Sequence, residues 1–143
     1  MDLQVAKKKV FAYTGGNAHV AEDATAEAFT RALEHRSSIH DPLPWIYRTA
    51  FRFASAEAKR TSVTRSRTEA SAFVTSSSLL ELLDALRELS PAQRAAVVLH
   101  YEADLPIKEV ARLMRTTVGA VKVHLFRGRR KLRDLLGEEA EDA

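Results

Sequence analysis

The chain has 143 residues, enough for one domain or two small ones, and its 45% hydrophobic and 29% charged residues, with few glycines and prolines, favour a mostly helical protein. It contains no cysteine, which excludes disulfides and thiolate metal sites, and no run near the ~18 apolar residues of a membrane span. We therefore expect a cytoplasmic protein without membrane insertion. The formal net charge is +3, and the largest excess lies in residues 79–136, where eleven basic residues accompany seven acidic ones, as contact with phosphate requires.

Two helices are predicted in the first 36 residues. The first covers Leu3 to Tyr13, and the glycines that follow it lead to Asn17, which is placed to cap a second helix from Ala18 to about Arg36. The second helix has a seam of small residues that allows close helix packing, with Phe29 and Leu33 beside it: Ala21, Ala24, Ala28 and Ala32. Its far face is acidic, for which simple solvation is the plainer interpretation: Asp23, Glu27 and Glu34.

A third helix is expected from Trp45 to about Arg60, after a loop from Ser37 to Pro44 that contains two prolines. Its inward face carries Ile46, Ala50 and Phe53. A polar and basic stripe runs along another face, with Trp45 at its edge: Arg48, Arg52, Ser55 and Lys59. Such a stripe beside an aromatic ring is how single-stranded nucleic acid is held. A core tryptophan next to a solvated face explains the same pattern equally well.

Residues 61–78 are rich in serine and threonine and predict a flexible linker between two domains, residues 1–60 and 79–136. After the linker, leucines at helical spacing predict a helix from Leu79 to Leu89. Ser90 and Gln93 form a capping box for a helix from Pro91 to about Tyr101. The last residues, 137–143, form an acidic tail.

A helix-turn-helix is predicted in residues 106–136. Its first helix runs from Pro106 to Met114, and its second follows a tight turn and is capped by Thr116 or Thr117. The second helix has an apolar stripe that we expect to face inward: Val118, Val121, Leu125, Gly128, Leu132 and Leu135. Its opposite face is basic and partly apolar: Gly119, Val123, Phe126, Arg127 and Arg130, flanked by Lys122, Arg129 and Arg133. An ordinary amphipathic hairpin is the alternative to DNA binding.

An active site is not expected in this chain. Glycine-rich phosphate loops and nucleophile-elbow motifs are missing from the sequence. His35, His40 and Asp41 are conceivable metal ligands, but their spacing matches no familiar site. We therefore expect a protein that is not an enzyme and that needs neither a metal nor a cofactor.

The order of these segments resembles the extracytoplasmic-function (ECF) type of sigma factor, a bacterial RNA polymerase subunit with two helical domains, region two and region four. The resemblance extends from Val10 to Leu136. The family's polymerase-binding helix is similar to AEDATAEAFTRAL (residues 21–33), with Ala26 in place of a usual glutamine. This resemblance implies contacts with the core polymerase for Asp23, Glu27 and Phe29.

Two further segments carry the resemblance. The segment that opens and recognises the −10 promoter element is similar to PWIYRTAFRFASAEAKR, although Arg52 replaces a usual asparagine and Ala56 a usual aspartate. The positions that match are Trp45, Tyr47, Arg48 and Ala50. Together with the polar and basic stripe described above, the resemblance predicts contacts with the opened strand for Trp45, Arg48, Arg52, Ser55 and Lys59. Region four is similar to LRELSPAQRAAVVLHYEADLPIKEVARLM followed by VGAVKVHLFRGRRKLR, and Arg115 occupies a turn position where glycine is common. It implies contacts with the −35 element for Thr117, Val118, Gly119, Lys122, Val123, His124, Phe126, Arg127 and Arg130.

The resemblance implies an all-α protein of two small domains that binds core RNA polymerase and promoter DNA and is restrained by an anti-sigma factor. Two other hypotheses stay open. The segment VKVHL also resembles the recognition helix of LuxR-type regulators, so a stand-alone DNA-binding regulator is one alternative. The other is an interaction protein that titrates an anti-sigma factor without supporting transcription.

Overall fold

The computed structural model describes residues 2–58 and 77–137, here called the N-terminal half and the C-terminal half. These residues form seven α-helices and one π-helical turn and contain no β-strand, so the predicted all-α class is confirmed. The helices in chain order are α1 (Leu3–Tyr13), α2 (Ala18–Glu34), α3 (Pro42–Ala58), α4 (Ser77–Arg87), α5 (Pro91–Val97), the π turn (Val98–Glu102), α6 (Ile107–Met114) and α7 (Val118–Leu136).

The N-terminal half is a three-helix unit in which α2 packs against both α1 and α3. Ala21, Ala24 and Ala28 of the predicted seam are fully buried, because a side chain of one carbon lets a neighbouring helix come close. The Asn17 side chain caps α2 by accepting a hydrogen bond from the Val20 N–H at 3.0 Å. Both of these expectations are confirmed. The exceptions are Ala32, the fourth residue of the seam, which is half-buried, and Leu33, which was expected beside the seam but is 66% exposed.

The prediction that the loop after α2 extends to Pro44 was wrong, because α3 begins at Pro42. Proline is a poor residue inside a helix because it has no N–H. In the first turn of a helix that N–H has no intrahelical partner anyway, so both prolines fit there without loss.

The C-terminal half begins with α4, whose first turn contains Ser77 and Ser78 of the predicted linker; residues 61–76 and the tail beyond residue 137 lie outside the described residues. The capping box of α5 is confirmed: the Ser90 hydroxyl accepts from the Gln93 N–H, and the Gln93 side chain accepts from the Ser90 N–H, both at 3.2 Å. The α-helix expected as far as Tyr101 ends at Val97 instead. A π turn follows it and closes with a bond from the Ala103 N–H to the Val98 carbonyl at 3.0 Å.

The buried apolar residues of both halves form one continuous core. Val10 and Phe51 belong to it in the N-terminal half, and Leu99, Val110 and Val121 belong to it in the C-terminal half. The helices α3 and α7, which carry the predicted DNA contacts, are therefore positioned by one shared core.

Among the described helices, none has both the length and the hydropathy needed to cross a membrane.

Candidate nucleic-acid interface

The helix-turn-helix consists of α6, a turn and α7. Pro106 precedes α6 as its N-cap residue instead of opening the helix as predicted. Arg115 ends α6 in the left-handed conformation, with φ 56° and ψ 47°, at the turn position where glycine is common in the family that the chain resembles. The Thr117 hydroxyl caps α7 by accepting a bond from the Ala120 N–H at 3.0 Å, which decides between the two threonines. These local features determine where α7 begins.

One face of α7 is buried as predicted. Val121, Leu125 and Gly128 are buried, and a Cβ added to Gly128 would lie 2.9 Å from a Val97 methyl group, so α7 and α5 are in close contact there. The inward stripe is shorter than expected, because Val118 and Leu135 are 40% and 46% exposed. Both lie near the ends of α7, where fewer neighbouring helices cover it.

The outward face of α7 brings the predicted −35 contacts together at the surface. Val123 and Phe126 are 45% and 58% exposed, and the half-buried His124 is the one predicted contact that the surface does not fully present. The remaining predicted residues are exposed: Thr117, Val118, Gly119, Lys122, Arg127 and Arg130. With six basic residues and one acidic residue in α7, this face attracts polyanions.

The residues of the polar stripe of α3 differ in their exposure to solvent. Arg52 is exposed, whereas Arg48 is half-buried and donates to the Leu113 carbonyl of α6 at 3.4 Å. Burial lowers the pKa of Arg48, and the positive charges of Arg115 and Arg52 lower it further. Ser55 is half-buried and shares a hydrogen bond of 2.6 Å with the Tyr13 hydroxyl, and Lys59 lies outside the described residues. The stripe is thus only partly accessible.

Trp45 is half-buried and packs against the shared core, at the start of α3. Its ring centroid lies 6.2 Å from that of His35, with the rings tilted by 34°. This position combines partial core packing with a solvent-facing portion, so both of the interpretations derived from the sequence remain compatible with it.

The acidic face of α2 lies at the surface. Asp23 pairs with His19 at 3.3 Å, and Glu27 pairs with Arg31 at 2.8 Å. Phe29 is half-buried at the edge of the core. Asp23 and Glu27 are one helical turn apart, so α2 offers a carboxylate pair to a basic partner.

Sequence reasoning missed a set of polar contacts that join the two halves, which we call the joint. Lys9 donates to the Glu102 main-chain carbonyl at 2.9 Å, and Arg94 donates to the Tyr13 carbonyl at 3.0 Å. Asp41, considered above as a metal ligand, instead pairs with Arg112 at 2.7 Å. Helical periodicity identifies an apolar face but not its partner, so the sequence holds no signal for these contacts.

Arg94 is the member of the joint that also contacts an aromatic ring. Its guanidinium lies 5.1 Å from the centroid of the Tyr13 ring, and that ring stacks on Phe51 with the centroids 4.1 Å apart. Burial lowers the pKa of Arg94, Tyr13 opposes the effect, and Arg87 adds to it. Arg94 therefore connects α5 to α1 and, through the Tyr13 ring, to α3.

A groove of about 1410 Å³ runs between α1, α4, the π turn and α7. Its apolar lining includes Leu79, Leu82 and Phe126, all of which are at least 37% exposed. Five basic and three acidic residues contribute to its walls: Lys7, Lys8, Arg129, Arg130 and Arg133, with Glu22, Glu81 and Glu102. An apolar floor with charged walls suits an amphipathic helix of a partner protein.

The described residues include no cluster of three or more histidine, aspartate or glutamate side chains with the geometry of a metal site. His35, the other candidate ligand near Asp41, contacts the Arg31 carbonyl through its Nδ1 atom at 2.9 Å.

Comparison with known proteins agrees with this geometry. Residues 79–132 match the family described as sigma-70, region 4. The ECF RNA polymerase sigma factor BldN of Streptomyces coelicolor is 31% identical over 145 aligned positions, which cover 90% of this chain and 55% of that protein. RNA polymerase sigma factor CarQ of Myxococcus xanthus is 44% identical over 57 positions, or 40% of this chain and 33% of that protein. This chain thus spans about half or less of these relatives.

The fold has a solved counterpart. Sigma factor RpoE from Bartonella quintana, in complex with the anti-sigma factor NepR, is similar with a TM-score of 0.73 at 20% identity, covering 95% of this chain and 92% of that chain. The described helices of this chain therefore have an arrangement that is already known from a solved structure.

Proposed function

We propose that this chain is a sigma factor of the ECF type, which binds core RNA polymerase in the cytoplasm and directs it to a small set of promoters; the match of residues 79–132 and the similarity to BldN support this. The observation that carries the proposal is the outward face of α7, which is basic and partly apolar and lies within the residues that match region 4. The protein acts without chemistry of its own, because it supplies binding energy and position to the polymerase.

Recognition of the −35 element is assigned to α7. In a helix-turn-helix the second helix enters the major groove, where apolar side chains touch thymine methyl groups and basic ones contact guanine edges or phosphates. Val123 and Phe126 serve the first purpose, and Lys122, Arg127 and Arg130 the second. Their exposure on one face supports this division of roles.

Opening of the −10 element is assigned to α3. Arg52, which is exposed, and Arg48 neutralise phosphates of the displaced strand, and the exposed portion of Trp45 provides a surface for an unpaired base. The predicted polar stripe supports this assignment, with Ser55 and Lys59 as its further members.

Two protein partners belong to the proposal. Core polymerase binds the surface of α2 that contains Asp23, Glu27 and Phe29. An anti-sigma factor restrains the chain, as the complex of RpoE with NepR suggests by analogy. The groove between α1, α4 and α7 offers such a protein an apolar floor with charged walls.

The proposal is tested by run-off transcription with purified core polymerase on genomic fragments. We expect initiation at discrete sites with the wild-type chain. Glu27→Lys should weaken capture of core polymerase because it reverses a charge on the proposed contact. Glu88→Lys is the control, since it makes the same change at an exposed position outside α2. Circular dichroism verifies that both variants are folded.

Two other results would each support one of the alternative functions. If the wild-type chain neither binds core polymerase nor initiates transcription, yet binds duplex DNA of defined sequence alone, it is a stand-alone regulator. If it binds only an anti-sigma factor, it is a titrating protein.

A further inference from the structure

We propose that Arg129 of α7 is a further phosphate contact to promoter DNA, and that the Tyr101 hydroxyl of the π turn positions it. The inference rests on the proposed binding of DNA by α7, and it adds a contact that the resemblance did not assign. The Arg129 guanidinium donates a hydrogen bond to the Tyr101 hydroxyl at 2.8 Å. Both side chains lie at the surface, where DNA can reach them.

The position of Arg129 on α7 suits a contact with one strand of the duplex. Successive residues of an α-helix are rotated by about 100°. Arg127 and Arg129 therefore leave α7 on opposite sides of Arg130, which lies near the middle of the outward face. A helix in the major groove has a sugar–phosphate backbone on each side, so residues on its flanks reach phosphates and central ones reach bases. Arg127 and Arg129 thus face different strands.

Three other exposed residues lie on the same flank as Arg129. Lys122, Phe126, Arg129 and Arg133 recur at intervals of four, three and four residues, so they form one stripe along α7. From Lys122 to Arg133 the helix rises by about 16 Å, which spans several phosphates of one strand. Three of the four side chains are cations. This stripe therefore has the length and the charge to follow one backbone.

The π turn holds Tyr101 in place beside α7. The Lys9 ammonium of α1 donates to the main-chain carbonyl of Glu102 at 2.9 Å, which anchors the residue that follows Tyr101. The residue that precedes it, His100, lies edge-on to the Tyr101 ring, with the ring centroids 4.8 Å apart. The tyrosine hydroxyl is therefore carried by a segment that is supported on both sides.

The bond to Tyr101 prepares Arg129 for a phosphate without using up its donors. A guanidinium has five N–H donors, so it can bond to a hydroxyl and to a phosphate at the same time. A long side chain that is already ordered loses less conformational freedom when it binds. Tyr101 therefore strengthens DNA binding through Arg129 and does not itself touch DNA.

The contact is measured with the complex of core polymerase and the full chain, on a duplex that carries the −35 element and upstream DNA. Fluorescence anisotropy gives the association constant at several salt concentrations. Arg129→Ala should lower it about five- to tenfold at about 0.1 M salt and reduce the slope of its logarithm against log salt by about 0.9. The loss should be the same on a duplex with an altered −35 sequence. Arg36→Ala is the control, because it removes the same charge from an exposed position of the N-terminal half.

Positioning is measured with Tyr101→Phe, which keeps the ring and removes the hydroxyl. We expect the association constant to fall by about two- to fivefold. The salt slope should stay as in wild type, because the Arg129 charge is still present at the interface. In the Arg129→Ala background, Tyr101→Phe should have no further effect on binding.

Thermal unfolding separates this role from a purely structural one, in which the bond only attaches the π turn to α7. A lower unfolding midpoint in Arg129→Ala with an unchanged salt slope would overturn the phosphate contact. Equal losses from Tyr101→Phe with and without Arg129 would overturn the positioning role. Arg130→Ala tests the proposed function itself. If it reduces the slope and Arg129→Ala does not, only the further contact is lost; if neither does, DNA binding by α7 is lost as well.

Discussion

Arg115 shows how the conformation of one residue positions a recognition helix. Its φ of 56° reverses the chain after α6, and the Thr116 N–H bonds back to the Ala111 carbonyl at 2.9 Å. A left-handed conformation is unfavourable for a residue with a Cβ, and arginine has no local side-chain bond that compensates as in asparagine or aspartate. The turn therefore carries a local energetic cost.

Replacement of Arg115 by glycine should stabilise the protein by up to about 1 kcal/mol, because it removes the unfavourable contact of Cβ with the backbone. Asp104→Gly is the matched control, since Asp104 has nearly the same φ of 55°. Aspartate tolerates this region better, so its replacement should gain less. Thermal unfolding measures both. A larger gain for Asp104→Gly would contradict this account.

Phe126 is the second residue with a testable role. If it touches thymine methyl groups, Phe126→Ala should relax the preference at one or two −35 positions, by ~1–3 kcal/mol against the wrong base. Arg130→Ala should instead weaken binding to all sequences alike and reduce the salt dependence by about one unit. Selection from randomised −35 sequences by the polymerase complex, at two salt concentrations, separates the two effects. An unchanged preference in Phe126→Ala would exclude this face as the recognition surface.

At the scale of elements, the position of α7 depends on its close contact with α5. Gly128 allows this approach, because Val97 and Gln93 occupy the space that a side chain would need. A Cβ added to Gly119, in the first turn of α7, would lie 3.9 Å from the Thr117 hydroxyl and would otherwise be in open space. The two glycines of one helix are thus in opposite environments.

The variants Gly128→Ala and Gly119→Ala should therefore have opposite effects on stability. At Gly128 the added methyl group overpacks the contact with Val97, which costs ~1–3 kcal/mol and exceeds the gain in helix propensity of ~1 kcal/mol. At Gly119 the propensity gain remains, reduced near the helix end. Denaturant unfolding compares them. Stabilisation by Gly128→Ala would mean that α5 and α7 separate easily.

Helix identities and several ends could be predicted from the sequence, because caps and apolar spacing are local. Asn17, Ser90 and Thr117 act where local chemistry predicts. The early start of α3 and the π turn could not be predicted in this way. Pro42 fits a loop and a first helical turn equally well, and a π turn depends on the packing around Val98 to Glu102 rather than on a sequence motif.

At the scale of the whole molecule, the two halves share one core and should unfold together. Trp45, the single tryptophan, reports on the N-terminal half by fluorescence, whereas circular dichroism reports on helices of both. We expect the two unfolding curves of the wild type to coincide.

Arg94→Lys should separate those curves. Lysine keeps the charge but loses the planar group that lies over Tyr13, so the joint weakens by about 1–2 kcal/mol. Arg31→Lys is the control, because that exposed residue pairs only within α2 and should change little. Coincident curves and an unchanged midpoint in Arg94→Lys would assign the coupling of the halves to apolar contacts alone.

One part of the candidate site could be predicted from the spacing of residues along a helix, and another part could not. The exposed face of α7 follows from helical spacing, since one buried stripe determines the opposite face. The partial burial of Arg48 does not follow from the sequence of α3, because it depends on α6, 65 positions away along the chain. Charge patterns predict that a surface is basic, but only the folded chain determines how much of it is free.

Three hydrogen bonds between the two halves have a main-chain carbonyl as their acceptor. Lys9 donates to the carbonyl of Glu102, Arg94 to that of Tyr13 and Arg48 to that of Leu113. Every amino acid supplies a carbonyl, so the accepting position can mutate while the bond persists. Arg48 and Leu113 should therefore show no co-variation among relatives, whereas the Tyr13 ring and the Glu102 carboxylate also contact their donors, so those two pairs should co-vary. For the same reason, a chimaera that combines this N-terminal half with the C-terminal half of a relative should keep these three main-chain bonds whenever the donor side chains are retained.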